Sequence, residues 1–267
     1  ALRRSSIESE LRHALDAGEF ELFYQPTIDL ETGRICGAEA LMRWRHPERG
    51  LIQPDQFIPA AEASSLIVPM GRWALREACR QARAWQDAGL PAIPIAVNVS
   101  ALQFRTAGFL EDIRQFLKET RLPSCYLELE LTESALMVDT ATTTMILEEL
   151  KKSGVILKVD DFGTGPSSLS YLQRCPVDVL KIDQSFVQEI ASAMPTAPLV
   201  RAVIAMGKSL GCRVVAEGVE TTQQFTYLRD EHCDEGQGYH FSPPIEAAAF
   251  ERLLAAGPFV SAAVQER

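Results

Sequence analysis

The residues of this chain that could do chemistry stand where apolar ones are expected. Ile95-Ala96-Val97 runs into Asn98, Val155-Ile156-Leu157 into Lys158-Val159-Asp160-Asp161, and Val214-Val215-Ala216 into Glu217. Leu127-Glu128-Leu129-Glu130-Leu131 carries two acids, Val179-Leu180 precedes Lys181, and Glu39 interrupts a further run. A carboxylate left alone in an apolar setting is strongly disfavoured, so each must be paired, protonated or bound to a cation. Carboxylates with a carboxamide are hard oxygen donors that suit Mg²⁺ or Mn²⁺, whereas zinc and non-haem iron usually recruit histidine or cysteine. His13, His46, His232 and His240 all lie away from these acidic segment ends. Adjacent Asp160 and Asp161 could serve two metal ions, as two-metal phosphodiester hydrolysis requires; standing alone they would read as an Asx turn capping the next helix.

Apolar, β-branched runs near 20–28, 35–44, 93–99, 126–131, 155–160, 178–182, 213–216 and around 235–238 predict the strands that must position these groups. Helical periodicity separates them near 55–63, 69–88, 109–120, 140–153, 196–210, 221–230 and 246–256. About eight β/α units at this length predict an α/β fold, a TIM-type (β/α)8 barrel, rather than a doubly wound sheet. Only Asp29-Leu30-Glu31-Thr32-Gly33 separates the first two strands, so they should form an N-terminal β-hairpin with one strand antiparallel to the rest. In such a barrel the acids would gather at the C-terminal end of the sheet, where barrel enzymes keep their chemistry. Residues two apart on a strand share a face, so Glu39, Leu41 and Arg43 point together, offering a metal ligand beside a guanidinium that can fork onto phosphate. Lys158 and Asp160 also share a face; Lys158 is expected one layer deeper, paired with Glu128 in a structural role.

Composition narrows the classes. The 267 residues suit one barrel or two small domains, and 46% hydrophobic with 23% charged residues is ordinary soluble usage. No run approaches the roughly 18 apolar residues of a membrane span, and the amphipathic start Ala1–Glu8 is not a signal core. A net charge of −10 opposes binding to long nucleic acid, while a small phosphate ligand stays possible where metals invert the local field. Cys36, Cys79, Cys125, Cys175, Cys212 and Cys233 show no metal or redox spacing and read as reduced packing residues. Trp44, Trp73 and Trp85 read as core. The expected organisation is an N-terminal helix or linker over 1–18, the barrel over 19–258 and a tail over 259–267. A chain starting at Ala1 is read as a piece of a longer cytoplasmic protein, or of the cytoplasmic part of a membrane-anchored one, with sensor or other signalling domains elsewhere.

Ala38-Glu39-Ala40-Leu41-Met42-Arg43-Trp44 resembles the signature of EAL-domain cyclic di-GMP phosphodiesterases. The likeness continues through Tyr24-Gln25-Pro26, Asn98-Val99-Ser100, Glu130-Leu131-Thr132-Glu133 and Asp160-Asp161-Phe162-Gly163-Thr164-Gly165. It extends over Lys181-Ile182-Asp183, Ala216-Glu217-Gly218-Val219-Glu220 and Gln237-Gly238-Tyr239, in the family's order across nearly the whole chain. The resemblance implies metal-dependent hydrolysis of cyclic di-GMP to linear pGpG with two Mg²⁺ or Mn²⁺ ions, and a homodimer. It implies that Glu39, Asn98, Glu130 and Asp160 hold one ion and that Asp160 and Asp161 hold the second, with Glu217 and Gln237 completing the shell through water. Lys181 would position or deprotonate the attacking water, and Glu133 would brace the loop after Asp161. Gln25, Leu41, Arg43, Asp183, Gln237 and Glu220 would face the dinucleotide.

One position departs: the family usually reads Gly-Tyr-Ser-Ser where this chain reads Gly165-Pro166-Ser167-Ser168. Proline fixes φ and removes an N–H, so it bears on the loop and on turnover rather than on the metal ligands. Gly163 and Gly165 are expected to supply unusual backbone angles. Two other readings remain open from the residues alone. A cyclic di-GMP receptor without turnover would usually show substitutions among the acids, and none is present. A Schiff-base Lys181 in an aldolase-like barrel would need a neutral amine, which surrounding carboxylates oppose.

Overall fold

The computed structural model describes residues 2–136, 140–163, 175–190 and 198–259. Helix α1 (Leu2–Ala17) leads into a hairpin of β1 (Phe20–Asp29) and β2 (Ile35–His46). There follow β3 (Gly50–Ile52), α2 (Pro54–Ala63), α3 (Ile67–Asp87), β4 (Ile95–Asn98), α4 (Ala101–Phe104) and α5 (Phe109–Thr120). Next come β5 (Leu127–Thr132), α6 (Glu133–Leu136), α7 (Thr140–Lys152), β6 (Ile156–Phe162), β7 (Val179–Ile182) and α8 (Gln184–Glu189). The described chain ends with α9 (Pro198–Leu210), β8 (Arg213–Ala216), α10 (Thr222–Asp230), β9 (Glu235–Gly236), β10 (Ile245–Glu246) and α11 (Ala247–Ala256).

Strands β2, β4, β5, β6, β7, β8 and β9 pair in parallel, and β1 closes the ring antiparallel to both β9 and β2. This is the eight-stranded barrel with one reversed strand that the hairpin spacing predicts. Two short strands were not legible in the sequence: β3 pairs with the far end of β2, and β10 with β1, both outside the ring. β9 is shorter than the run around 235–238, because after Gly236 the chain turns toward Val219, whose N–H donates to the Gln237 carbonyl.

The strands are buried on both faces. Val179, Leu180, Ile182, Val214, Val215 and Ala216 are each 0% exposed, as a parallel sheet sheathed in helices requires. Helix α3 lays Ala74, Leu75, Ala78, Cys79, Ala82 and Trp85 on the barrel wall, a helical stripe whose larger members contribute about 1.5–3 kcal/mol each. The six cysteines form no disulfide; four of them are buried, while Cys125 is exposed rather than packed. A second apolar cluster holds Leu11 and Ala14 of α1 against Phe20, Trp44, Ile52, Phe57 and Met70.

Candidate active site

The parallel register brings the acids together. Asn98 pairs with Glu130, Glu130 with Lys158, and Thr132 with Asp160, while Gln25 lies directly across the hairpin from Glu39. At their centre is Lys181, 0% exposed. Its Nζ lies 2.5 Å from Glu217 Oε1, 2.8 Å from Glu130 Oε2, 3.3 Å from Glu39 Oε2 and 3.4 Å from Asp160 Oδ1. Asn98 Nδ2 donates to Glu39 Oε1 at 2.6 Å, and Gln237 Nε2 donates to Glu39 Oε2 at 2.6 Å and to Gln25 Oε1 at 2.9 Å. Gln25 Nε2 in turn donates to the Ser242 carbonyl. Gly238 makes this possible: a Cβ there would stand 2.2 Å from the Val219 carbonyl oxygen, so only glycine lets the Gln237 segment lie so close.

Strict alternation would send Asp160 and Asp161 to opposite faces. The β6–β7 register shifts between Val159 and Phe162, and Asp161 takes φ of +54°, a left-handed conformation that aspartate tolerates better than most residues. The irregularity turns both carboxyl groups to one region: Asp160, Asp161 and Glu217 each place an oxygen within 4.8 Å of the others. The Asp161 N–H donates to Asp160 Oδ1, and the Gly163 N–H to Glu133 Oε2 at 3.4 Å, so Glu133 does reach the backbone after the Asp pair. Gly163 has φ of +96°, the unusual angle expected of it. Gly165 and Pro166 lie outside the described residues.

Negative charge is in excess here. Burial raises the Glu39 pKa, Glu130 raises it further, and Lys181 only partly offsets them. Burial likewise pushes Glu217 up to about 8 against the pull of Lys181, and burial with Asp160 and Asp183 raises Asp161. Burial opposes charge on Glu130 too, but Lys181 and Lys158 outweigh it and hold that carboxyl at about 2. Although burial acts against the Lys181 ammonium, Asp160, Glu130, Glu217 and Glu39 hold its pKa well above the ordinary lysine value. That disfavours the neutral amine a Schiff base needs.

A deeper layer lies beneath. Lys158 Nζ is 2.8 Å from Glu128 Oε2, the pairing expected from spacing, and also 3.0 Å from Glu130 Oε1. Arg213 reaches Glu128 Oε1 at 3.0 Å and pairs with Glu235. Sequence reasoning passed over Arg213 and Glu235, although a charged residue opening the run Arg213-Val214-Val215-Ala216 was a usable signal.

The remaining expected residues spread outward. Arg43 is buried, lies over the Phe23 ring and donates to the Met42 carbonyl, near enough to Glu39 to feel its charge. Asp183 caps α8 by accepting from the Ser185 N–H at 2.9 Å. Glu220 is exposed, and its backbone N–H donates to Gln224. Leu41 lines a cleft of about 300 Å³ beside the acids, with Met42, Ile58, Asn98 and Gln103 among the other walls. The Gln103 side chain was not singled out from sequence; it is 2% exposed and neither of its amide atoms has a hydrogen-bond partner.

A closed ring of seven parallel strands and one reversed strand, with acids at its C-terminal mouth, defines a TIM-type α/β barrel with its candidate active site at that mouth. The family model described as "EAL domain" matches residues 8–244, and the chain belongs to that family. It is 45% identical over 262 residues to the cyclic di-GMP phosphodiesterase NbdA of Pseudomonas aeruginosa, an alignment covering 98% of this chain and 34% of NbdA. It is 46% identical over 246 residues to the bifunctional diguanylate cyclase/cyclic di-GMP phosphodiesterase MucR of the same organism, covering 92% of this chain and 36% of MucR. This chain therefore spans about a third of the length of these curated relatives. Among solved structures, the PaMucR phosphodiesterase in complex with c-di-GMP superposes with a TM-score of 0.88 at 44% identity, covering 92% of this chain and 99% of that one. The EAL enzyme Bd1971, bound to cAMP and cyclic di-GMP, gives a TM-score of 0.89 at 34% identity, covering 95% of this chain and 69% of that one.

Proposed function

We propose that this domain hydrolyses cyclic di-GMP to linear pGpG, with two divalent cations at the barrel mouth, as one part of a longer signalling protein. The observation that carries the reading is the charge imbalance. Glu39, Glu130, Asp160 and Glu217 surround the Lys181 ammonium, Asp161 stands beside Asp160 and Glu217, and only Glu130 has a second cation, Lys158, a surplus that is unstable without further positive charge. The donors are all oxygen, so the set fits Mg²⁺ or Mn²⁺. Glu39, Asn98, Glu130 and Asp160 would hold one ion, and Asp160 with Asp161 the other. Ions bound there would acidify a water and neutralise charge on the phosphate.

The chain's own residues supply the rest. Lys181, already protonated, positions the attacking water by hydrogen bonding and adds positive charge near it; it is not the base. Gln237 and Asn98 fix both oxygens of Glu39, and Gln25 is tied into the same array. Arg43, with Gln25 on the neighbouring strand, stands near Glu39 to meet a phosphate, and the mostly apolar cleft beside Leu41 is the candidate seat for a base. In-line attack forms the new P–O bond as the bond to one ribose 3′ oxygen breaks, and that oxygen takes up a proton. The names of NbdA and MucR and the c-di-GMP complex of PaMucR support this substrate.

The test is incubation of purified protein with cyclic di-GMP and Mg²⁺ or Mn²⁺, following pGpG by chromatography. Chelator-sensitive conversion is expected. Substrate that binds yet survives would replace the enzyme with a receptor.

A further inference from the structure

The deeper charged layer has no part in the reaction just described, yet it reaches the site. Glu128 in this layer and Glu130 above it each set their two oxygens against two different cations. Glu128 gives Oε1 to Arg213 and Oε2 to Lys158, while Glu130 gives Oε1 to Lys158 and Oε2 to Lys181. With Arg213 also on Glu235, the result is an unbroken alternating string, Glu235–Arg213–Glu128–Lys158–Glu130–Lys181. It rises through the lumen from the start of β8 to the mouth. Among the described residues, Lys158 is the one cation that touches an acid of each layer.

A net gain in stability over an apolar filling does not account for this string. A buried ion pair gains little over well-packed apolar groups of the same volume, and the neighbouring barrel positions are filled by such groups. What the string does fix is orientation. A carboxylate with a cation against each oxygen has a preferred rotation about its last bond, although Lys158 meets Glu130 Oε1 as an ion pair without hydrogen-bond geometry. Lys158 and Lys181 sit on adjacent strands, on opposite oxygens of Glu130.

Resting on the metal-dependent reading above, we propose that Lys158 is a positioning residue for metal binding: by holding Glu130 Oε1 it sets the rotation at which Glu130 Oε2 faces the site. Groups that orient a metal ligand from behind typically change affinity or activity by about 10- to 100-fold when removed. Lys158 acts through Glu130 and touches neither substrate nor metal.

The experiment compares wild-type protein with Lys158→Met and with the double variant Lys158→Met/Glu128→Gln, which removes one charge of each sign and so guards against a folding failure of the single change. Lys158→Gln, which keeps an N–H donor, is the milder third variant. Bound Mn²⁺ is counted by electron paramagnetic resonance without substrate, and kcat and KM for cyclic di-GMP are measured beside thermal unfolding. In the folded variants, Mn²⁺ affinity should fall by about 10- to 100-fold, with kcat falling at fixed Mn²⁺ while KM stays within about twofold. Lys158→Gln should recover part of the loss. A folded double variant with wild-type Mn²⁺ affinity and kcat would overturn the proposal and leave Lys158 a packing residue. If the wild type bound Mn²⁺ but turned over no cyclic di-GMP, the substrate assignment would fail, and the Mn²⁺ affinities alone would decide the role of Lys158.

Discussion

Two charged layers share the lumen of this barrel, and they differ in arithmetic. In the lower one Lys158 and Arg213 meet Glu128 and Glu235, so charges balance and every group has an opposite neighbour. In the upper one four carboxylates crowd around Lys181 with Asp161 beside them, and several are pushed toward their protonated forms. Both are polar intrusions into a β-barrel interior, and burial alone would not tell them apart. Balance marks the layer that the fold completes by itself; surplus marks the one that needs something from solution.

The contrast can be broken by substitutions whose effects should fall in opposite columns. The largest effect on stability belongs below: Glu128→Ala leaves Lys158 and Arg213 each short of a partner and should cost about 3–5 kcal/mol, read by urea unfolding. A loss under about 1 kcal/mol would show that the lower layer is not structural. Above, Glu39→Ala should lower cyclic di-GMP turnover by about 10²–10³-fold yet leave the melting temperature of the metal-free protein unchanged or higher, since it relieves repulsion. Full activity in that variant would remove Glu39 from the site.

A third expectation concerns pH. The pKa values of Glu39, Asp161 and Glu217 are raised in the folded protein, so their stabilising share is present below the unfolded carboxylate value of roughly 4.5. It is lost as pH climbs toward the Glu217 value of about 8. Metal-free protein should therefore melt lower at pH 8 than at pH 5. Mn²⁺ added at 100 times its pH 8 dissociation constant should restore about 2.7 kcal/mol at pH 8, a shift of several degrees, and less at pH 5 at the same concentration. Equal shifts at both pH values would contradict the charge-surplus account. The smallest effect is expected of Arg213→Met, whose side chain is 40% exposed and partly screened; a cost of about 1 kcal/mol in urea would suffice.

Much of this was legible before any coordinates. Charged residues inside Val- and Leu-rich runs stood out because a parallel sheet has so little tolerance for them, and the short Asp29–Gly33 connection fixed the reversed strand. The pairing of Lys158 with Glu128 followed from period-two alternation. Its second ion pair, with Glu130, did not, because it depends on which residue of β5 lies beside Lys158. Nor could alternation put Asp160 and Asp161 on one side; that takes a register shift and a left-handed φ, which the letters do not announce. β3 and β10 escaped because strands of two or three residues exist only by virtue of their partners.

The reversed first strand has a geographical outcome. In a barrel whose strands all run one way, the chain enters at the floor, far from its reactive end. Here β1 runs downward, so the polypeptide comes in over the rim, and α1 rests on Phe57 of α2, a helix whose Ile58 walls the cleft. Any polypeptide joined ahead of α1 would hang over the doorway rather than the cellar, and a twist applied to that joint would be felt one helix away from the cleft.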